Sequence, residues 1–96
     1  MIQAQVIATP AFLEAYQQLP LRVQSIIDSK IEQLARNPSH RSLQAHKLRR
    51  VKGENVWSCY ISINKRLLYQ YKNGKIYLWN VGEHAIVERA HLRRFD

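Results

Sequence analysis

Asn73-Gly74 constrains this chain more than any other pair of its residues. The type I′ hairpin turn selects that dipeptide because both central residues need positive φ. It is flanked by Arg66 to Lys72 and Lys75 to Val81, two runs rich in aromatic and large apolar residues that read as antiparallel strands. Upstream, Val56 to Ile63 alternates Trp57, Cys59, Ile61 and Ile63 against Val56, Ser58, Tyr60 and Ser62, the period of a third strand with aromatics on both faces. A three-strand meander of this kind must bury at least one face against another layer.

The N-terminal half supplies that layer. Ile2 to Ala8 alternates as a strand, and Thr9-Pro10 reads as an N-cap followed by proline at the first helical position. Phe12, Leu13, Tyr16 and Leu19 recur at helical spacing as far as Pro20, which opens a second helix with Val23, Ile26, Ile27, Ile31 and Leu34 as its apolar positions. Asn37-Pro38 ends it. Two helices joined by so short a link fold back as a hairpin with one apolar stripe. The fold class is α+β, with an N-terminal strand and a two-helix hairpin packed on an antiparallel twisted sheet. The other sheet face is expected to stand open as a concave surface. With 96 residues, no internal repeat and no Gly/Ser linker, residues 1–96 form a single domain. The segment from His84 to Phe95 carries a weak helical stripe.

Charge points to the partner. Fifteen Lys and Arg against seven Asp and Glu give a net +8, and no acidic residue occurs between Glu32 and Glu54. In that interval the basic loop at 43–53 holds His46, Lys47, Arg49, Arg50 and Lys52, followed at once by strands bearing Trp57, Tyr60, Tyr69 and Tyr71. Single-sign charge interleaved with aromatics suits a polyphosphate, with nucleic acid ahead of a membrane surface. Contact with about five phosphates would make log affinity fall with log salt at a slope of about −4. There is no apolar run of about 18 residues and no basic-then-apolar leader, so the cytoplasm is the expected compartment and no membrane is involved. The lone Cys59 reads as core packing.

Cleaving RNA without a metal needs a base for the 2′-hydroxyl proton, an acid for the leaving 5′-oxygen and a cation for the phosphorane. His46, His84 and Arg66 are the residue types for those three tasks. Arg66 opens a strand from which its planar fork can grip two phosphate oxygens, and His84 follows Val81-Gly82-Glu83 at the end of the last strand. Lys47, Arg49, Arg50, Lys52 and Trp57 are the expected RNA contacts. No metal site is expected, because the acidic residues are scattered and the histidines lack ligand spacing, and no cofactor is implied. The absence of a Gly-rich phosphate loop and of a Gly-x-Ser-x-Gly elbow argues against nucleotide hydrolysis and acyl transfer. If the C-terminal segment is helical, His84, Glu88 and His91 share a face at i, i+4 and i+7, and Glu88 would raise the pKa of His84.

The series His46-Lys47-Leu48, Trp57, Arg66-Leu67-Leu68-Tyr69-Gln70 and Val81-Gly82-Glu83-His84 resembles the RelE/ParE superfamily of bacterial toxins, over nearly the whole chain. The resemblance implies an mRNA interferase of the RelE, YoeB and YafQ kind, entering the ribosomal A site and cutting mRNA by 2′-hydroxyl attack. It implies a cognate antitoxin partner and a hetero-oligomer with it. By position it makes Arg66 the contact to the scissile phosphate, His84 the C-terminal active-site residue, and His46 the residue where relatives carry Glu or His. Two departures stand out. Glu88 occupies the place of a stacking Tyr or Phe, a task open to Trp57 or Tyr77, and Tyr60-Ile61-Ser62-Ile63 lacks the lysines that the RelE branch places before its arginine. A ParE-like inhibitor of DNA gyrase, which needs no general acid or base, and a non-catalytic RNA-binding module are the alternatives.

Overall fold

In the computed structural model, which describes residues 4–48, 55–83 and 85–86, a two-helix hairpin packs on one face of a five-strand sheet of order β1-β5-β4-β3-β2. The chain runs β1 (Gln5–Ala8), α1 (Pro10–Gln17), α2 (Leu21–Arg36), a 3-10 turn (Arg41–Leu43), β2 (His46–Lys47), β3 (Val56–Ser62), β4 (Lys65–Lys72) and β5 (Lys75–Glu83).

Each boundary has a local cause. Thr9 is extended and its Oγ1 accepts the Phe12 N–H at 3.2 Å, the expected N-cap, with Pro10 at the first helical position. The same hydroxyl donates to the Leu78 carbonyl at 2.7 Å, which pins the start of α1 to β5. The hairpin is then locked from within, because Gln24 Nε2 donates to the Leu19 carbonyl and to the Tyr16 carbonyl, which also accepts the Leu19 N–H, at the end of α1. Val23, Ile27, Ile31 and Leu34 form the sheet-facing stripe of α2, with Ile27 and Leu34 fully buried, while Ile26 lies 41% exposed on the flank. At the other end of the chain, Asn73 (φ 53°) and Gly74 (φ 73°) make the left-handed turn between β4 and β5.

The main core lies between helices and sheet, where Phe12, Ile27 and Leu34 meet Cys59, Ile61, Leu67, Tyr69, Ile76, Leu78 and Val81. Three features differ from the sequence reading. The sheet is mixed rather than wholly antiparallel, because the meander returns β5 alongside β1 in the same direction, from Gln5↔Lys75 to Ala8↔Leu78. His46 and Lys47 belong to a short strand instead of a loop: Leu43, fully buried, anchors the chain, and the pairs His46↔Ser58 and Lys47↔Trp57 follow. The face away from the helices is not simply open. It holds a second small core of Val56, Leu68 and Trp79, with Leu48, Tyr77 and Ile86 packed against it. Trp79 reaches that core through a bulge, since Leu68 pairs with Asn80 while Tyr69 pairs with Leu78. Gly82 leaves the room for Ile86, whose Cγ2 would lie 3.4 Å from an added Cβ. Apart from residues 85–86, the expected C-terminal helix lies outside the described residues.

Candidate functional site

Arg66 sits near the start of β4 on the face away from the helices, opposite Tyr60 of β3 and Gly82 of β5. Its guanidinium turns toward the β3–β4 connection, where Nη1 donates to the carbonyls of Ser62 (2.7 Å) and Lys65 (2.9 Å). The guanidinium carbon also lies 5.1 Å from the centroid of the Tyr60 ring, and Lys30 Nζ of α2 lies 5.9 Å from that centroid. Both cations act on Cys59, the fully buried neighbour of Tyr60. Burial pushes its thiol up to about 12, and the positive charges of Lys30 and Arg66 only partly oppose that. Cys59 is therefore a packed, protonated thiol.

His46 is exposed, and its pairing with Ser58 places it on the same sheet face as Ser58, Leu68 and Arg66. Two strand spacings and two residues along the strand separate His46 from Arg66, about 12 Å between backbones. Ser58 of β3, 5% exposed, lies between them, and Asn80, also 5% exposed, sits beyond β4 opposite Leu68, where its Oδ1 accepts the Val81 N–H at 2.9 Å. The face is thus an apolar and amide floor with an imidazole at one margin and a guanidinium toward the other.

Lys47 and Trp57 point the other way. They pair with each other in the ladder, so both belong to the helix-facing side, and the structure does not bring them together with His46 and Arg66. Trp57, half-buried, donates Nε1 to Asn55 Oδ1 at 3.1 Å and lines a groove of about 640 Å³ with Tyr69 and Tyr71, facing His40, Arg41 and Gln44. Alternation could not assign Trp57 and Tyr77 to a face; the ladder puts Tyr77 on the side of Arg66, packed against the small core. His84, Arg49, Arg50, Lys52, Glu88 and His91 lie outside the described residues. Among those described, no group of three or more His, Cys, Asp or Glu residues is placed to hold a metal ion.

Lys30 has no place in the sequence reading, and Tyr60 enters it as one of the aromatics that follow the basic run. Lys30 occupies an ordinary polar position of a helix, and nothing in the linear pattern couples residues 30, 60 and 66. Arg66 curls back on carbonyls one and four residues away, a local geometry that the residue types alone do not display.

Two helices on one face of a five-strand, mostly antiparallel sheet, with the short strand ahead of the meander at one edge and the N-terminal strand at the other, is the RelE/ParE-like toxin fold. The toxin–antitoxin complex RelBE2 from Mycobacterium tuberculosis matches with a TM-score of 0.71 at 21% identity, over 86% of this chain and 100% of that one. The YoeB dimer from Staphylococcus aureus matches with a TM-score of 0.69 at 20% identity, over 85% and 98% of the two chains. YafQ from Escherichia coli matches with a TM-score of 0.71 at 13% identity, over 88% and 98%. No protein-family model matches the sequence, and no curated protein sequence is significantly similar to it.

Proposed function

We propose that this chain is the toxin of a toxin–antitoxin pair and acts as an endoribonuclease on mRNA, without a metal, in the ribosomal A site. The observation that carries this reading is the placement of Arg66 and His46 on the same sheet face, the one the helix hairpin leaves uncovered. Arg66 uses Nη1 for its turn contacts, and its Nη2 and Nε make no hydrogen bond among the described residues, so the fork has donors for phosphate oxygens. The guanidinium must swing away from the Ser62 and Lys65 carbonyls to face His46, a tightening expected when substrate binds.

In this reaction one histidine of the pair His46 and His84 takes the 2′-hydroxyl proton as the O2′–P bond forms. The other gives a proton to the 5′-oxygen as the P–O5′ bond breaks, leaving a 2′,3′-cyclic phosphate and a free 5′-hydroxyl. Arg66 stabilises the charge on the phosphorane. Ribosomal placement of the mRNA supplies the orientation that so shallow a floor lacks. The antitoxin partner is supported by the fold, since the RelBE2 structure and a YoeB–YefM structure from Staphylococcus aureus are complexes. An acidic antitoxin segment laid over the basic residues would neutralise the net +8 and block the site together. No helix among the described residues is long and apolar enough to cross a membrane, and this reading requires the compartment that holds ribosomes.

Primer extension on a ribosome-programmed translation reaction tests the proposal. Wild-type protein should create new 5′ ends inside the reading frame. Arg66→Ala should reduce their rate of appearance by about 10²–10³-fold, and His84→Ala or His46→Ala by about 10²–10⁴-fold. Absence of new ends with growth arrest retained would replace the nuclease with the gyrase-inhibitor reading; RNA binding without cleavage would leave a binding module.

A further inference from the structure

The pairing of two cations on one ring at the sheet edge has no use in the mechanism above. β2 is only two residues long and pairs with Trp57 and Ser58, so among the described residues no strand pairs with the outer side of β3 beyond Ser58. Tyr60 stands on that open edge. Lys30 approaches its ring from the helix layer at 5.9 Å and Arg66 from β4 at 5.1 Å. Two positive charges drawn to one ring repel each other, and the ring quadrupole offsets only part of that. The carboxylates closest in sequence to Lys30 are engaged elsewhere: Asp28 accepts the Tyr16 hydroxyl at 2.6 Å, and Glu32 pairs with Arg36. Among the described residues neither Lys30 nor Arg66 has an ion-pair partner. An anion is the missing component of this arrangement.

We infer that Lys30, Tyr60 and Arg66 form a phosphate-binding subsite on the edge of β3, which holds the backbone of a single-stranded RNA beside the cleavage site and leads it from the Arg66 face round to α2. This rests on the nuclease reading for the identity of the strand. Lys30 contributes a point charge to one phosphodiester. Tyr60 is a positioning residue that keeps Lys30 at the edge, and Arg66 as well until substrate turns it toward the scissile phosphate. The occupant is a nucleic-acid backbone because that is the polyanion the proposed reaction already brings to Arg66.

The test is the salt dependence of binding to a mixed-sequence 2′-O-methyl RNA oligomer, which lacks the attacking hydroxyl and so is bound without being cut. Removing one single-strand phosphate contact should lessen the magnitude of the slope of log affinity against log salt by about 0.7, which is about fivefold in affinity at 0.1 M salt. Lys30→Gln should show that change, and Tyr60→Leu should reproduce it while Tyr60→Phe, which keeps the ring, does not. Lys75→Gln removes the same charge at the far turn of the sheet and should leave the slope unaltered. Thermal melts of each variant separate loss of contact from loss of fold. A wild-type slope retained in Lys30→Gln, or a change of equal size in Lys75→Gln, overturns the subsite. Cleavage by wild type with Lys30→Gln unchanged in slope would remove the subsite and leave the nuclease standing. The expected slope change in a protein that cuts nothing would do the reverse.

Discussion

The two faces of the sheet come from alternate residues of the same strands, yet they bury different things. Toward the helices, Cys59, Ile61, Leu67, Tyr69, Ile76, Leu78 and Val81 meet Phe12, Ile27 and Leu34 in one continuous core. Toward the other side, Val56, Leu68 and Trp79 make a patch with polar Ser58 and Asn80 buried beside it, and His46 and Arg66 at its margins. A domain of this size needs one well-filled core, and the hairpin supplies it. The second face is therefore free to carry charge and unpaired donors, which a core face cannot do without large desolvation costs.

If that division holds, truncation in the helix-facing core should cost stability out of proportion to anything done at Arg66. Leu34 is fully buried at the C-terminal end of the α2 stripe. Leu34→Ala should lower the free energy of unfolding by about 2–5 kcal/mol in urea melts, whereas Arg66→Ala, despite the loss of cleavage proposed for it, should cost no more than about 1 kcal/mol. Equal losses in the two variants would show that Arg66 is a structural clamp for the β3–β4 turn and would break the contrast between the faces.

The parts of this division that were legible in the sequence are those with a local cause. Asn73-Gly74, Thr9-Pro10 and the alternation from Val56 to Ile63 are each decided within a few residues, and each stands in the structure where those residues put it, save that β3 ends one residue early at Ser62. The parallel pairing of β1 with β5 joins residues about seventy positions apart, and no local pattern encodes it. β2 escaped notice because two residues cannot display a period. The faces of Trp57 and Tyr77 were undecided because aromatics occur on both sides of the strands, and only the ladder register settles them. The candidate site was legible as residue types, Arg66 and His46, while the Tyr60 and Lys30 contacts depend on the edge that β3 leaves uncovered.

Cys59 offers a probe of the helix-facing side through pH. Its thiol is raised from about 9 to about 12 by burial, so the folded state favours the neutral form. A raised folded-state value means that this contribution is complete below the unfolded pKa near 9 and is lost as pH climbs toward about 12. Burial also raises Tyr69, with the same sign, so alkaline destabilisation of wild type is the sum of several groups. Cys59→Ala isolates one proton. Between pH 9 and 12 its stability should fall less steeply than that of wild type, by up to about 1.4 kcal/mol per pH unit. Identical slopes would mean that the thiol is reached by water, and that the core side is as open as the face of Arg66.

Thr9 tests how the helix layer is fastened to the sheet. Its hydroxyl accepts from Phe12 N and donates to the Leu78 carbonyl, so one oxygen caps α1 and ties it to β5. Thr9→Val keeps the shape and removes both bonds; Thr9→Ser keeps both bonds and removes a methyl group. Loss of the cap alone is worth about 0.5–2 kcal/mol, and losing the hydroxyl bond to the Leu78 carbonyl, which keeps the Thr9 N–H at 3.1 Å, adds a little to it. Thr9→Val should therefore lie near the upper end of that range and Thr9→Ser close to wild type in thermal melts, with RNA cleavage per folded molecule unchanged in both. Cleavage lost in Thr9→Val at full folding would mean that the position of the helix layer tunes the opposite face, because β5 carries Leu78 on one side and Gly82, the neighbour of Arg66, four residues further along the strand.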